Sequence, residues 1–309
     1  MGKRLLLAVP MLLIVSMVMF VLASILPGDS AATILGEEAT PESLAALREQ
    51  MGLNLPLYQQ YWNWATDAIR GDFGTSIFGG QDVVTVIVYR LPVTVSLMVL
   101  STLVIGVVGA VLGLLSAVKG GWIGRFLDAF SLFGLAIPSF AFAVVLVSLF
   151  AVTVRAFPAT GYMSLEDGFG NWIWSLTLPV IAMSLSGTTL VAKQMRDSAL
   201  EVLSRDSIRV LRANGISERS ILFRHVLKNA AIPATTVLGV CVVGALTGAV
   251  FIENVFVMPG LGSLATQSTM THDMPVLLGL GVYFTLIVVG VNLLVDVVYG
   301  FINPKVRVS

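Results

Sequence analysis

The stretch LPVTVSLMVLSTLVIGVVGAVLGLLSAV, residues 91–118, decides the fold class, because it runs for 28 residues without Asp, Glu, Lys or Arg. About 20 residues of helix cross a hydrocarbon core roughly 30 Å thick, so this run is long enough to span a bilayer. The same scan finds five further uncharged runs, 5–26, 129–154, 172–192, 229–252 and 274–295, each of at least 21 residues. Six transmembrane helices are expected, in an all-α polytopic membrane protein. A seventh uncharged run, 254–272, is rich in Gly, Ser and Thr and contains Pro259. Such a backbone cannot satisfy itself in lipid as a regular helix, and it reads as a loop. The first run has a second reading as a cleaved signal, since Met1-Gly2-Lys3-Arg4 resembles a basic leader and small residues follow near Ala23 and Ala31. Its apolar stretch exceeds the usual signal core of about 7 to 15 residues, which favours a retained anchor.

Composition agrees with a bilayer as solvent. Of the 309 residues 56% are hydrophobic and only 12% charged, and mean hydropathy is +0.91; an ordinary globular protein carries about a quarter charged residues. The 18 basic residues balance 18 acidic ones, so no basic field exists to hold nucleic acid. One cysteine, Cys241, and two histidines, His225 and His272, are too few for a disulfide framework, a zinc cluster or a haem pair built by this chain alone. The twelve methionines, Met11, Met17 and Met19 among them, are read as apolar packing rather than soft-metal ligands.

Charge also sets the orientation. With both termini cytoplasmic, only Arg48, Arg70, Arg90 and Arg155 lie outside and the other 14 of the 18 basic residues lie inside, the asymmetry that the positive-inside rule requires. The chain then divides into residues 1–90, a first helix with a long extracytoplasmic segment, and residues 91–301, a core of five helices. In 27–90, Leu44, Leu47, Met51, Tyr58, Tyr61, Trp62 and Trp64 suggest short amphipathic helices lying along the interface, either a collar or a docking face for an extracytoplasmic partner. The cytoplasmic segment 193–229 carries 8 basic and 4 acidic residues. Leu200, Leu203, Ile208 and Leu211 form a stripe at roughly helical spacing, Gly215 can take the left-handed conformation that ends a helix, and Ser217 can cap the next one through Ile221, Leu222 and Val226. The product is a helix, glycine, helix elbow with an apolar tip and a charged rim.

At this elbow the chain resembles the integral membrane permeases of binding-protein-dependent ATP-binding cassette importers. Asp206-Ser207-Ile208-Arg209-Val210-Leu211-Arg212-Ala213-Asn214-Gly215, followed by Arg224-His225-Val226-Leu227-Lys228, is similar to the cytoplasmic loop motif of the oligopeptide and dipeptide branch. Only Gly215 and Leu227 match the family's general form, Glu-Ala-Ala, three residues, Gly, nine residues, Ile-x-Leu-Pro. Further similarities run along the chain: Leu26-Pro27-Gly28-Asp29, Gly71-Asp72-Phe73-Gly74, Ile137-Pro138-Ser139-Phe140, Pro158 to Tyr162, the stretch from Glu253 through Pro259-Gly260-Leu261-Gly262, and Pro304-Lys305 with Arg307. Their order points to the B-type permease of that branch, with the type I importer permease fold.

The resemblance implies an inner-membrane subunit working with a second homologous permease, two cytoplasmic ATPase subunits and an extracytoplasmic solute-binding protein, moving di- or oligopeptides by alternating access. It implies no catalysis and no cofactor on this chain, with ATP and Mg on partner subunits; the Gly-x4-Gly-Lys-Ser/Thr phosphate loop is absent. It places ATPase coupling on Asp206, Ile208, Arg209, Leu211, Arg212, Ala213, Gly215, Ile216, Arg224 and His225, with Ile208, Leu211 and Ile216 filling a groove on the partner and Arg209 and Arg212 making polar contacts. Candidates for the translocation path are Ser184, Ser186, Thr188, Thr189, Thr235, Thr236, Thr247 and Glu253, although helix packing explains such residues equally well. Asp296, at another span end, shares the two readings of Glu253. Gly109-x3-Gly113 and Gly244-x3-Gly248 read as close helix contacts, and Gly260-x-Gly262 as a turn rather than a dinucleotide fingerprint, since it follows a membrane helix and not a strand. Alternatives are a nickel or glutathione importer permease of the same branch and, in a different class, an autonomous channel. An intramembrane protease lacks its side chains, as neither His lies mid-span and no Asp lies inside any uncharged run.

Overall fold

A computed structural model describes residues 2–25, 30–36 and 39–302, and they are almost wholly helical. The segments Leu26 to Asp29 and Pro304 to Arg307, the C-terminus and the side chain of Asp296 lie outside the described residues. Among the described residues four helices are long and apolar enough to cross a membrane: Val83–Lys119, Phe169–Ser204, Glu218–Val255 and Met274–Leu293, with shorter apolar helices at Val9–Ile25 and Ser139–Thr153. The third uncharged run is not one helix. It divides into α6 (Gly121–Ala136) and α7 (Ser139–Leu146), which continues as a π-type turn over Val147–Thr153. Pro138 has no N–H for the ladder, and its ring disfavours a helical conformation at Ile137, so the helix breaks there. Pro10, Pro92, Pro179 and Pro233 instead lie inside continuous helices. Spanning helices tolerate proline where neighbouring groups satisfy the freed carbonyls.

The chain forms two compact units. One comprises residues 1–94 and 259–290. Here α1 (Gly2–Ile25) is followed by α2 (Ser30–Leu35), α3 (Pro41–Gln50) and α4 (Leu57–Ile69), the short helices expected of the extracytoplasmic segment. Thr40 caps α3 by accepting from the Ser43 amide while the Ser43 hydroxyl oxygen accepts from the Thr40 amide, a reciprocal arrangement that satisfies donors the first turn leaves open. A row of aromatic rings, Phe20, Tyr61, Trp64, Phe73 and Tyr283, joins α1 to α4 and onward to α13 (Met274–Ile302), with neighbouring centroids 5.6 to 6.2 Å apart. Below it Val83 and Ile87 of α5 (Val83–Lys119) pack with Leu261, Leu264, Val276 and Leu280.

Residues 254–272 correct the expectation of a loop, because only the first part is irregular. After the turn at Val257, Met258 and Pro259, α12 (Leu261–Thr271) forms a regular helix of 11 residues. Its hydroxyls turn back onto its own carbonyls, Thr266 to Gly262, Thr269 to Ala265 and Thr271 to Gln267. The residues that look loop-like in sequence are satisfied within the helix, while Leu261 and Leu264 are buried.

The other unit comprises residues 95–258 and 291–309. At its centre α8 (Phe169–Ser204) packs against α6, α7 and α11 (Leu227–Val255). Glycines let α5 approach α8: a Cβ on Gly109 would sit 2.9 Å from the Val191 side chain, and one on Gly113 would meet the Ala192 carbonyl and lie 2.7 Å from the Met195 Cβ. The pair at Gly244 and Gly248 behaves differently, for a Cβ at either meets nothing within 4 Å. Among the described residues those two make no close helix contact, contrary to the small-residue reading.

Candidate functional site

The elbow is built where α8 stops. Its last turns bury Met195, Ala199 and Val202, and Arg205 then takes an extended conformation that redirects the backbone. Helix α9 (Asp206–Ala213) follows, ending at Asn214. Gly215 adopts φ +76°, the left-handed region where a side chain is strained, and the Ile216 amide returns to the Leu211 carbonyl at 3.2 Å. Ser217 then caps α10 (Glu218–Ser220) by accepting from the Ser220 amide. The backbone continues through a π-type turn at Ile221–Val226 straight into α11. The sequence-derived helix, glycine, capped helix is thus present, its first arm set off from α8 by the extended Arg205 and its second arm running unbroken into α11.

Packing sorts the predicted coupling residues into two sets. Ile208 is 2% exposed and belongs to a core with Val202, Ile221, Val226 and Ala230, against which Leu211 and Ile216 are half-buried. This corrects the expectation that Ile208 fills a groove on a partner. In an eight-residue helix folded against its own parent helices, the apolar stripe is consumed inside the chain. The outward face consists of Asp206, Arg209, Val210, Arg212, Ala213, Gly215 and Arg224, all exposed. The large apolar side chains Val210 and, just before Arg224, Phe223 are also open, 57% and 61% exposed, neither of them a sequence candidate. A cavity of about 460 Å³ opens beside Val210, lined also by Val202, Arg205, Ser207, Ile208, Leu211, His225 and Asn229.

Ion pairs brace the elbow. Arg209 reaches Asp206 at 3.2 Å one turn back. Arg212 spans the glycine turn to Glu218 with two bonds, Nε at 2.6 Å and Nη2 at 3.1 Å. The hydrogen bond from Arg212, with its charge, holds the Glu218 carboxyl below the usual carboxylate range, and the same bond raises the arginine. Glu218 is a residue that sequence reasoning missed. Its signal was present, as an acid three positions beyond Gly215 and six beyond Arg212, but charge in a polar segment carries no partner label.

The pathway candidates do not converge on one surface. Ser184 and Thr189 donate to carbonyls one turn back on α8, and Ser186 donates to the Gly134 carbonyl of α6 at 3.1 Å. Thr188 is buried, and Thr235 is half-buried with its hydroxyl on the Ile232 carbonyl. Glu253 is fully buried, so it does not line an open face of the chain. Only Thr236 and Thr247 of the set are exposed. Among the described residues no cluster of three or more His, Cys, Asp or Glu is placed to hold a metal ion.

Two family models match the chain: binding-protein-dependent transport system inner membrane component over residues 109–308, and the N-terminal portion of such components over residues 1–98. A probable peptide ABC transporter permease protein of Sinorhizobium fredii is 38% identical over 99% of this chain and 98% of its own. A putative peptide transport system permease protein of Brucella abortus is 36% identical over 99% of this chain and 98% of its own. The glutathione transport system permease protein of Escherichia coli is 35% identical over 99% of this chain and 97% of its own. Among solved structures, a chain of the MetNI methionine ABC transporter in inward-facing conformations shares the fold, with TM-score 0.55 and 17% identity, over 70% of this chain and 97% of that one. The chain belongs to the family of binding-protein-dependent transport system inner membrane components, as a multi-pass permease subunit whose ATP hydrolysis resides on separate subunits.

Proposed function

We propose that this permease carries di- or oligopeptides inward across the cytoplasmic membrane by alternating access, with six spans and both termini cytoplasmic. It would work beside a second homologous permease, two ATPase subunits and an extracytoplasmic binding protein. The peptide assignment is carried by near-full-length similarity to peptide permeases. A second reading, glutathione, is favoured by the similarity to the Escherichia coli permease, and glutathione is itself a tripeptide. Residues 206–227 act as the lever. Closure of the ATPases pushes on the outward face of the elbow, and the shared core of Ile208, Ile221 and Val226 passes the displacement to α8 and α11 together. Nucleotide shifts the two packings of the spans only by its differential affinity for them. The exposed hydroxyls of Thr236 and Thr247 are the pathway candidates this reading keeps.

Proteoliposomes holding the full complex test the substrate. ATP-dependent accumulation of labelled trialanine is expected, while accumulation of glutathione alone selects the second reading. Uptake of either by the permease without its ATPases would overturn the importer mechanism and favour a channel.

A further inference from the structure

Residues 74–83 form a tight hairpin on the extracytoplasmic side of the proposed topology. Thr75 pairs with Asp82, the Ser76 amide donates to the Gln81 carbonyl at 2.8 Å, and the Val83 amide donates to the Gly74 carbonyl at 3.0 Å. The exposed tip, Phe78 to Gln81, has no core of its own. What holds the hairpin is a side chain almost 200 residues away. Asp273 is 3% exposed. Its Oδ2 accepts from the Ser76 hydroxyl at 2.6 Å and its Oδ1 from the Ile77 amide at 3.3 Å. The same Ser76 oxygen accepts from the Gly79 amide at 3.2 Å, so one hydroxyl ties the turn to the acid.

The position of this latch matters. The hairpin leads directly into α5, whose first turn is capped by Asp82 accepting from the Thr85 amide and hydroxyl. Asp273 immediately precedes α13, and its own carbonyl accepts from the Leu277 amide. A single buried carboxyl therefore joins the outer ends of two long apolar helices, and immediately below it Gly279 lets the Val83 side chain approach α13 closely. Asp273 could have capped its own helix, as acids at that position commonly do. It is turned to the hairpin instead.

We infer that Asp273 is a positioning residue of the transport cycle: it keeps the hairpin and the outer ends of α5 and α13 moving as one body, and stimulation of ATP hydrolysis by the loaded binding protein requires that body to be rigid. The inference rests on the importer reading above. Coupling from the extracytoplasmic to the cytoplasmic side needs rigid elements with discrete arrangements, and stripping the half-buried Ser76 and Ile77 donors of their acceptor loosens that rigidity locally.

The test uses the complete transporter in nanodiscs with its binding protein saturated by trialanine or glutathione, whichever it binds. Asp273→Ala is expected to leave basal ATP hydrolysis near wild type and to lower the stimulated increment about tenfold. Ser76→Ala shifts it in the same direction by less, and Ser76→Thr, which keeps the hydroxyl, restores it. In a Cys241→Ser background, Ser76→Cys with Asp273→Cys bridged by a short thiol crosslinker should retain stimulation and uptake, because the two segments never part. Wild-type stimulation in Asp273→Ala, equal loss of basal and stimulated rates, or uptake abolished by the crosslink would each overturn the inference. Absence of stimulation in the wild-type complex would instead sink the importer reading, and this inference with it.

Discussion

At position 215 the backbone holds φ +76° with nothing within 4 Å of where a Cβ would stand, so the constraint there is conformational and not steric. Gly215→Val should strain the turn by about 1–3 kcal/mol while membrane insertion stays intact. The expected result in vesicles is ATP hydrolysis that continues without matching uptake, with Gly215→Asn milder because Asn tolerates the left-handed region; unchanged uptake in the valine variant would refute the lever. Glu218 adds a pH dependence. Its folded pKa is depressed by the bond from Arg212, so its contribution is fully present above the ordinary carboxylate range and is lost as pH falls through the depressed value. Protease protection at the elbow should therefore stay constant through neutral pH and fall on acidification, whereas Glu218→Gln should show the weaker protection throughout. Gly215 and Ser217 were readable from sequence because each has one dominant backbone use. Glu218, Val210 and Asp273 were not, since pairing, exposure and burial are properties of the neighbours that folding brings.

Among the described residues, charge gaps located four of the six expected spans as long apolar helices and the other two as shorter ones, and chain length in lipid explains why: a run that must cross a fixed thickness is visible without its partners. The break at Pro138 was hidden because the same residue type is absorbed at Pro92, Pro179 and Pro233, and only local packing separates the outcomes. Helix α12 was hidden by its Gly, Ser and Thr content, which signals a loop unless the hydroxyls find carbonyls of their own helix. The two small-residue pairs show the same limit, as identical spacing gave a contact at Gly109 and Gly113 and, among the described residues, none at Gly244 and Gly248. Gly113→Leu should destabilise the permease by about 1–3 kcal/mol through overpacking against α8, read as a lower Tm in detergent. Gly244→Leu should leave the Tm of the isolated chain unchanged, and equal losses from both would contradict the difference in packing.

For the whole molecule, orientation is the property most open to direct measurement. In a Cys241→Ser background, a membrane-impermeant thiol reagent added to intact cells lacking an outer-membrane barrier should label Phe78→Cys and spare Asn214→Cys, and inverted vesicles should reverse the pattern. Labelling of both from one side would discard the topology. One dimension of the molecule has a further mechanical meaning. The 36 residues of α8 make a rod roughly 54 Å long at 1.5 Å per residue, well beyond the hydrocarbon thickness. Rotating such a rod about its midpoint by about ten degrees carries each tip sideways by about 5 Å, the width of a small side chain. Modest tilting is thus geared up into a displacement large enough to seat or unseat a docked subunit, with no need for the helix itself to bend or melt.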